Sequence, residues 1–472
     1  MSYTRKIAHN TIVQIVGKGV STVIGIVVIG MLTRYLGQGG FGQYTTIMAF
    51  LQFFGVLVDM GLYIILVKKI SEPGTDERQI VSNIFTLRLV SAVIFLGLAP
   101  VVVLFFPYPA IIKAGVLVTS LSFLGITLNQ ALAGVFQKHL RMDRVVIAEV
   151  IGRIFLLAAT FLVIRADCGL LWVMGSVVIG SVVNFLMTFF FSRRFVKIKL
   201  VFEFGVWKNI IKETWPIALS IAFNLVYFKI DTVILSLYHS EEAVGIYGAA
   251  YKVLEVLTTL PAMFAGLVLP LLTAAWAAAD HERFKRVLRR GFDAMAMVAL
   301  PLVVGTLFVA GPVMELVAPG FDDSAALLKV LIFATATIFI GNLFGNTVVA
   351  IGRQLTMMWV YLGVAVISLV GYLVFIPRYS YFGAAGMTVV SELLVTLAAL
   401  LIVSLATRAW PSPVVFMKSA AACVIMAIVL YGAAGTNLFM QIALGGVTYV
   451  VTLLMLRGVS ARDLREIVRS GE

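Results

Sequence analysis

The sequence is 472 residues long, 61% hydrophobic and 12% charged, with a net charge of +13 and a mean hydropathy of +1.04. Soluble globular domains carry about 25% charged residues, so this composition leaves too little polar surface for a water-facing shell and excludes a large soluble protein. The two cysteines, Cys168 and Cys423, are far apart in the chain, which excludes a disulfide framework.

Fourteen apolar stretches are long enough to cross a bilayer, which takes roughly 20 residues per helix. They predict an all-α, polytopic membrane protein with fourteen transmembrane helices and no soluble domain between them. In chain order the predicted spans are 11–33, 42–66, 80–106, 112–136, 145–164, 169–191, 214–238, 244–273, 292–318, 325–350, 355–376, 382–406, 413–433 and 436–456.

Lys and Arg residues are distributed unevenly between the two sides of these spans. If the N-terminus is cytoplasmic, the inner segments hold 26 of the 36 basic residues and the outer segments hold four. Cytoplasmic loops of membrane proteins carry such an excess. We therefore predict a multi-pass protein of the inner (cytoplasmic) membrane with both termini in the cytoplasm. The same asymmetry accounts for the basic charge, so no nucleic-acid partner is expected.

An internal repeat relates the two halves of the chain. Residues 32–44 read LTRYLGQGGFGQY and residues 235–247 read LSLYHSEEAVGIY, with matching Leu, Tyr, Gly and Tyr residues at an offset of 203. Each copy joins the first and second helix of a six-helix block. Because six is even, the two blocks have the same orientation, as in parallel transporter repeats. We predict six-helix bundles at 1–200 and 201–406, followed by two additional helices and a cytoplasmic tail at 407–472.

Several ionisable residues fall inside the predicted spans, where each costs about 2.5–3.5 kcal/mol at the bilayer centre. Such residues usually face a cavity or a partner. The candidate basic residues of a substrate cavity are Lys18, Arg88, Lys229 and Lys252. The candidate acids, either structural or binding a coupling ion, are Asp59, Asp231, Glu255 and Glu392. No metal-ligating spacing or catalytic motif accompanies them.

Polar residues can also hold helices together without lining a cavity. Glu149 and Arg153 fit that alternative, because they are spaced i,i+4 on one predicted helix. Lys229 and Asp231 lie two residues apart, about 200° around a helix, so they do not share a face. One is expected to face the cavity and the other a neighbouring helix. Bridges of Lys229 with Glu255, or of Asp231 with Lys252, are also open at this point.

The whole pattern resembles the polysaccharide (O-antigen type) flippases of the multidrug/oligosaccharidyl-lipid/polysaccharide exporter superfamily. The resemblance rests on the six, six and two arrangement of spans and on three motifs. These are RYLGQGGFGQY at 34–44, KIDTVILSLY at 229–238 and AVGIYGAAYKVLE at 243–255.

This resemblance implies two bundles that rock between inward-open and outward-open states, and it implies no cofactor. The cargo it implies is an oligosaccharide on a polyprenyl pyrophosphate, taken from and returned to membrane lipid. It places cavity cations at Lys18, Lys229 and Lys252, with Arg88 as a further candidate. The acids would supply a proton or sodium site or structural pairing. The sequence departs from this family pattern in one respect: acidic residues in the spans are nearly as numerous as basic ones, so a strongly cationic cavity is not evident.

Three other functions compete with this interpretation. A cation-coupled multidrug exporter would use the intramembrane acids, but such exporters usually have twelve spans. A lipid II flippase is close in pattern. A membrane glycan polymerase or ligase, a different class of protein, would be expected to carry a sizeable outer loop with catalytic groups, and all outer loops here are short.

Overall fold

The computed structural model describes residues 3–72 and 74–458, with side chains described throughout except at 3–12, 216, 226 and 228. These residues form α-helices and no strand, which confirms the all-α prediction. The helices are α1 Tyr3–Asp59, α2 Leu62–Ser71, α3 Glu77–Val102, α4 Ala110–Lys138, α5 Met142–Arg165, α6 Leu170–Ser192, α7 Phe204–Tyr238, α8 Glu241–Ala277, α9 His281–Val317, α10 Asp322–Ala350, α11 Gln354–Thr407, α12 Pro413–Gly432 and α13 Leu438–Met455. A short 3-10 turn, Val103–Phe105, ends α3.

The fourteen predicted spans map onto these helices because α1 and α11 each carry two spans. The second span, 42–66, crosses the end of α1 at Asp59 and finishes in α2. The backbone of α1 breaks at Gly37, with φ 63° and ψ −174°, and that of α11 breaks at Ser380, with φ 50° and ψ −136°. In the described part of the chain, 11 helices are long and apolar enough to cross a membrane, and a bent helix makes a twelfth. That helix is α7, which bends by 42° between Ile217–Leu225 and Lys229–Tyr238.

Side-chain caps fix where three of the helices begin. Asp76 Oδ1 accepts a hydrogen bond of 3.2 Å from the backbone N–H of Gln79 and starts α3. Asp280 caps α9 and Asn437 caps α13 in the same way, at 2.9 and 2.8 Å. Each cap pairs a backbone N–H that has no acceptor within the helix. The inter-helix turns are therefore encoded locally.

The chain divides into two compact units. The N-terminal unit runs up to Gly248 and the C-terminal unit starts at Ala249, so the boundary falls inside α8. In the N-terminal unit α1 packs on α3, α4, α5 and α7, while α6 packs on α4 and α5. In the C-terminal unit α10 packs on α9 and α11. This division differs from the repeat units, and the six-helix bundles at 1–200 and 201–406 stay a prediction from the sequence repeat.

The two copies of the repeat motif pack against each other inside the N-terminal unit. A Cβ atom added at Gly42 would overlap the carbonyl oxygen of Glu241, and one added at Gly245 would overlap that of Gln38. The 203-residue offset exchanges the two contacts, because it relates Gly42 to Gly245 and Gln38 to Glu241. The α1 and α8 backbones therefore approach closely and symmetrically, and only glycine allows that approach.

The segment 196–203, between α6 and α7, is held against α3 by its backbone. The N–H of Lys199 donates to Ser82 Oγ at 3.2 Å, and that of Val201 donates to Thr86 Oγ1 at 3.1 Å. Farther along, Trp207 Nε1 donates to Asn83 at 3.1 Å. The buried polar face of α3 thus binds an extended peptide rather than another helix.

In the C-terminal unit, α12 and α13 pack on α9. Their buried residues contact an apolar face of α9 that includes Met297 and Phe308. Pro301 has no N–H, so the Met297 carbonyl loses its partner within α9. The hydroxyl of Tyr449, on α13, donates to that carbonyl at 2.7 Å. The two last helices are therefore joined to α9 by a specific polar bond as well as by apolar contact.

Candidate functional site

A buried charged cluster lies at the junction of α1, α3 and α4. Asp59 ends α1, and its carboxylate accepts from the N–H of Gly61, whose φ of 76° lets the chain turn into α2. Arg88 on α3 forms an ion pair with Asp59 and donates to Gln130 on α4 at 2.8 Å. The Arg88 side chain is 0% exposed and that of Asp59 is 21% exposed.

Two nitrogens of this guanidinium, Nε and Nη1, have no hydrogen-bond partner among the described residues. A buried cation usually survives in an apolar bundle only when it is paired, so Asp59 and Gln130 are what hold Arg88 in place. The structure thus brings together a predicted cavity cation and a predicted coupling acid. Their assignment to cargo and ion binding remains a prediction.

A second cluster connects α1 with α5. Lys18 Nζ lies 3.4 Å from Glu149 Oε1, with side chains 44% and 27% exposed. The i,i+4 spacing predicts that Glu149 pairs with Arg153, but in the structure Glu149 pairs with Lys18. Among the described residues Arg153 forms no ion pair, and it lies beside Gly25 of α1. Lys18 is closer to Glu149 because α1 and α5 pack side by side, which a pattern within one helix does not reveal.

Asp231 is fully buried where α7 meets the start of α8. Its carboxylate accepts from the Tyr247 hydroxyl, and from the Thr232 N–H at 2.6 Å and the Thr232 hydroxyl at 3.2 Å. Lys229, two residues earlier, is half-buried and follows the bend of α7. The two side chains therefore differ in burial, in keeping with their positions on different helix faces.

The sequence contained a signal for the Asp231–Tyr247 contact. The two residues lie eight positions before and eight positions after His239, at the turn between α7 and α8. Residues equidistant from the turn of an antiparallel helix pair lie at the same depth. Tyr247 is also one of the repeat residues. Gln130 had no comparable signal, because no charge or spacing distinguishes it.

In the C-terminal unit, Lys252 and Glu255 pair within α8. Lys252 Nζ lies 2.7 Å from Glu255 Oε2 at i,i+3 spacing, with side chains 25% and 29% exposed. Glu392 on α11 is 6% exposed, and it forms no ion pair among the residues that the structure describes. A buried carboxyl group of this kind is typical of functional positions in membrane proteins. No described group of three or more His, Cys, Asp and Glu residues is placed to hold a metal.

Comparison with protein families gives two matches. The family described as "Polysaccharide biosynthesis protein" matches residues 7–276, which is more than half of the chain, and the family described as "MatE" matches residues 216–374. The second match begins inside α7. The predicted family resemblance is confirmed by these matches.

Three relatives of known description are similar in sequence. A "Putative O-antigen transporter" of Shigella dysenteriae is 24% identical over 387 residues, covering 79% of this chain and 92% of that one. Its counterpart in Shigella flexneri is 23% identical and covers 66% and 76%. The "Probable flippase AglR" of Haloferax volcanii is 26% identical over 106 residues, so the match spans only 22% of either chain.

Solved structures share the fold. A structure of "Lipid II flippase MurJ, inward closed conformation" is similar with a TM-score of 0.78 at 17% identity, covering 95% of this chain and 98% of that one. An inward-facing multidrug resistance MATE family transporter of the MOP superfamily has a TM-score of 0.66 at 15% identity, covering 84% and 97%. The chain belongs to the polysaccharide biosynthesis protein family and has the membrane fold found in MurJ and in MATE transporters of the MOP superfamily.

Proposed function

We propose that this protein flips a polyprenyl-pyrophosphate-linked oligosaccharide across the cytoplasmic membrane by alternating access, for the synthesis of a surface polysaccharide. The family supports a role in polysaccharide synthesis, and the fold supports transport. The observation that carries the proposal is the presence of partly exposed cations within the spans, at Lys18 and Lys252. A diphosphate needs cationic or hydrogen-bonding partners to leave the headgroup region.

We assign direct contact with the pyrophosphate to Lys18, Lys229 and Lys252. Lys18 is paired with Glu149 and Lys252 with Glu255, so the net charge of each cluster is reduced. Each lysine side chain is still partly exposed. Arg88 would reach the cargo only in a state in which α1, α3 and α4 separate, because its side chain is 0% exposed here. Asp59, Asp231, Glu255 and Glu392 remain candidates for a proton or sodium site or for structural pairing.

The proposal is tested with the full chain in vesicles that carry a fluorescent polyprenyl-pyrophosphate oligosaccharide in the inner leaflet. Arrival of the glycan outside is read with an added lectin. We expect the triple variant Lys18→Gln, Lys229→Gln, Lys252→Gln to lose at least tenfold in rate, because charge is needed throughout the crossing. Lys329→Gln on α10 is the matched control and should transport normally. Normal transport by the triple variant at equal protein level would refute the cationic mechanism.

The same vesicles separate the proposed function from its alternatives. A lipid II flippase, as the similarity to MurJ suggests, would carry fluorescent lipid II faster than the oligosaccharide. A cation-coupled multidrug exporter, as the MatE match suggests, would move an organic cation against a sodium or proton gradient. A glycan polymerase or ligase would lengthen or transfer the oligosaccharide, which gel analysis detects. We expect transport of the oligosaccharide with its bonds unchanged.

The orientation is proposed from the charge asymmetry of the loops. Ser240, at the turn between α7 and α8, should be labelled from outside as Ser240→Cys in a chain whose own cysteines are replaced. Arg286→Cys, at the start of α9, should be labelled only after the cell is permeabilised. The reverse pattern would invert the topology. Residues 1, 2 and 459–472 at the predicted cytoplasmic termini lie outside the described residues.

A further inference from the structure

Residues 193–215, here called the basic linker, connect α6 with the membrane-crossing part of α7. The linker is not a loose loop, because backbone N–H groups at Lys199 and Val201 donate to buried side chains of α3. Trp207 is buried and donates to α3 as well. Between residues 196 and 202, Val196 is buried and Val201 is partly buried, whereas Lys197, Lys199, Leu200 and Phe202 are exposed.

The linker exposes six cations that form no ion pair within the described residues. They are Arg193, Arg194, Lys197, Lys199, Lys208 and Lys212. The two acids of the segment are engaged by other parts of the protein. Glu203 accepts from Gln79 at 2.7 Å, and Glu213 accepts from Lys69 at 2.7 Å. Both acids are therefore bound to residues outside the linker and do not neutralise its cations.

Large apolar side chains are exposed along the linker together with these cations. Leu200 is 59% exposed, Phe202 58%, Phe204 72% and Trp215 53%. A segment that faced water alone would rarely expose so many large apolar groups together. A segment in hydrocarbon would not carry six cations. Aromatic and basic residues coexist at the boundary between headgroups and acyl chains.

The length of α7 agrees with this location. A helix of 35 residues is about 52 Å long, whereas the hydrocarbon core is about 30 Å thick. The first turns of α7, which carry Phe204, Lys208 and Lys212, therefore extend beyond the hydrocarbon. They expose basic and aromatic residues, as the preceding segment does.

We propose that the basic linker is a docking surface for anionic phospholipids of the cytoplasmic leaflet. Its cations contact the headgroups, and Leu200, Phe202, Phe204 and Trp215 enter the acyl boundary. Negative surface potential attracts basic segments near a bilayer, and each cation contributes to binding within a Debye length. The inference uses the cytoplasmic placement of the linker but is independent of the cargo. Because the linker is fixed to α3 and is continuous with α7, bound lipid would hold these two helices together.

The test compares the full chain with the variant Lys197→Gln, Lys199→Gln, Lys208→Gln, Lys212→Gln. Both are reconstituted in nanodiscs of phosphatidylcholine with 30% phosphatidylglycerol, and retained lipid is counted by native mass spectrometry. We expect the original chain to retain phosphatidylglycerol in preference to phosphatidylcholine and the variant to lose at least half of that excess. An environment-sensitive dye at Leu200→Cys, with both native cysteines replaced, should shift to the blue in anionic discs and be quenched by brominated lipid.

The matched control removes four cations from another predicted cytoplasmic segment, with Arg283→Gln, Lys285→Gln, Arg286→Gln, Arg289→Gln at the start of α9. It should retain the original lipid excess. Equal loss in both variants would mean a general surface potential and would overturn the proposal. Displacement of the lipid by millimolar inorganic phosphate, or a dye at position 200 that stays in water, would overturn it too. If the Gln variant fails to fold, two further variants test the proposal. Arg at the same four positions must keep the excess of phosphatidylglycerol, and the variant Phe202→Ser, Phe204→Ser must lower it.

Discussion

Gly42 on α1 and Gly245 on α8 face each other at matching positions of the two repeat copies. A Cβ on Gly42 would lie 3.0 Å from the backbone nitrogen of Gly245, and the reverse distance, from a Cβ on Gly245 to the nitrogen of Gly42, is 3.2 Å. Three residues farther along, Gly248 meets the side chain of Thr45, again at the offset of 203. The sequence repeat thus includes the two glycines at which α1 and the start of α8 cross.

This crossing predicts that Gly42→Ala and Gly245→Ala are each severely destabilising. The added methyl group would overlap a backbone carbonyl oxygen, which has no rotamer to escape to, so the helices must separate. We expect a loss of about 3 kcal/mol or more in the free energy of unfolding, at the upper end of overpacking effects. Gly19→Ala is the control, because nothing lies within 4 Å of a Cβ there. Equal melting temperatures for all three variants would contradict the close approach.

The Asp59–Arg88 pair predicts an asymmetric response to neutralisation. Asp59→Asn leaves a guanidinium that is 0% exposed without its counter-charge, at a cost of about 3–5 kcal/mol. Arg88→Gln leaves a carboxylate that is 21% exposed and can reach water, so its cost should be smaller. The double variant should recover much of the loss from Asp59→Asn, as measured by unfolding in mixed micelles.

An exposed pair serves as the comparison for that experiment. Lys285 lies 3.3 Å from Glu282, with side chains 42% and 80% exposed. Lys285→Gln should change the free energy of unfolding by less than about 1 kcal/mol, because surface pairs contribute little. If Asp59→Asn were as mild as Lys285→Gln, the buried pair would not be the anchor of α1, α3 and α4.

The Tyr449 bond to α9 predicts a coupling between two substitutions. Tyr449→Phe leaves the Met297 carbonyl unpaired, which should cost about 1–3 kcal/mol. In a chain that already carries Pro301→Ala, the new N–H can pair with that carbonyl within α9. There Tyr449→Phe should be nearly neutral. A double-mutant cycle by thermal or micelle unfolding measures this coupling, and additive effects would rule out the bond as the cause.

The break in α11 predicts a stabilising substitution. Ser380 has φ 50° and ψ −136°, a region that essentially only glycine occupies without strain. Ser380→Gly should raise the melting temperature, since relieving the strain contributes roughly 1–3 kcal/mol against a smaller entropy cost in the unfolded chain. Ser380→Ala keeps the Cβ and should not stabilise. The opposite change at the break of α1, Gly37→Ser, should destabilise, because Gly37 has a φ of 63°.

Much of the fold could be predicted from the sequence because membrane spans are long apolar stretches with strong positional signals. The breaks at Gly37 and Ser380 fall between predicted spans, at 33–42 and 376–382, and a single residue with non-helical angles separates the two helices at each break. Apolar composition alone does not show whether two spans are joined by a loop or by a kink. Only a backbone angle distinguishes those cases.

The charged clusters were less predictable, for a physical reason. Asp59 and Arg88 lie on different helices and are 29 positions apart in the sequence, and Lys18 and Glu149 are 131 positions apart. Side-chain spacing within one helix finds neighbours only three or four residues away, which is why Arg153 was paired with Glu149. The Lys252–Glu255 pair, at i,i+3, is the kind of contact that such spacing does reveal.

The Tyr449–Met297 bond also has a consequence for how the chain is made. The two residues are 152 positions apart, and ribosomes add about 5–20 residues per second, so Tyr449 is synthesised roughly 8–30 seconds after Met297. During that interval α9 is already available for insertion, yet its Met297 carbonyl has no partner of its own. Each nascent chain therefore passes through a state in which α9 depends on water or on another polypeptide. Because of Pro301, the Met297 carbonyl gains its hydrogen bond from the protein only after α13 has been synthesised.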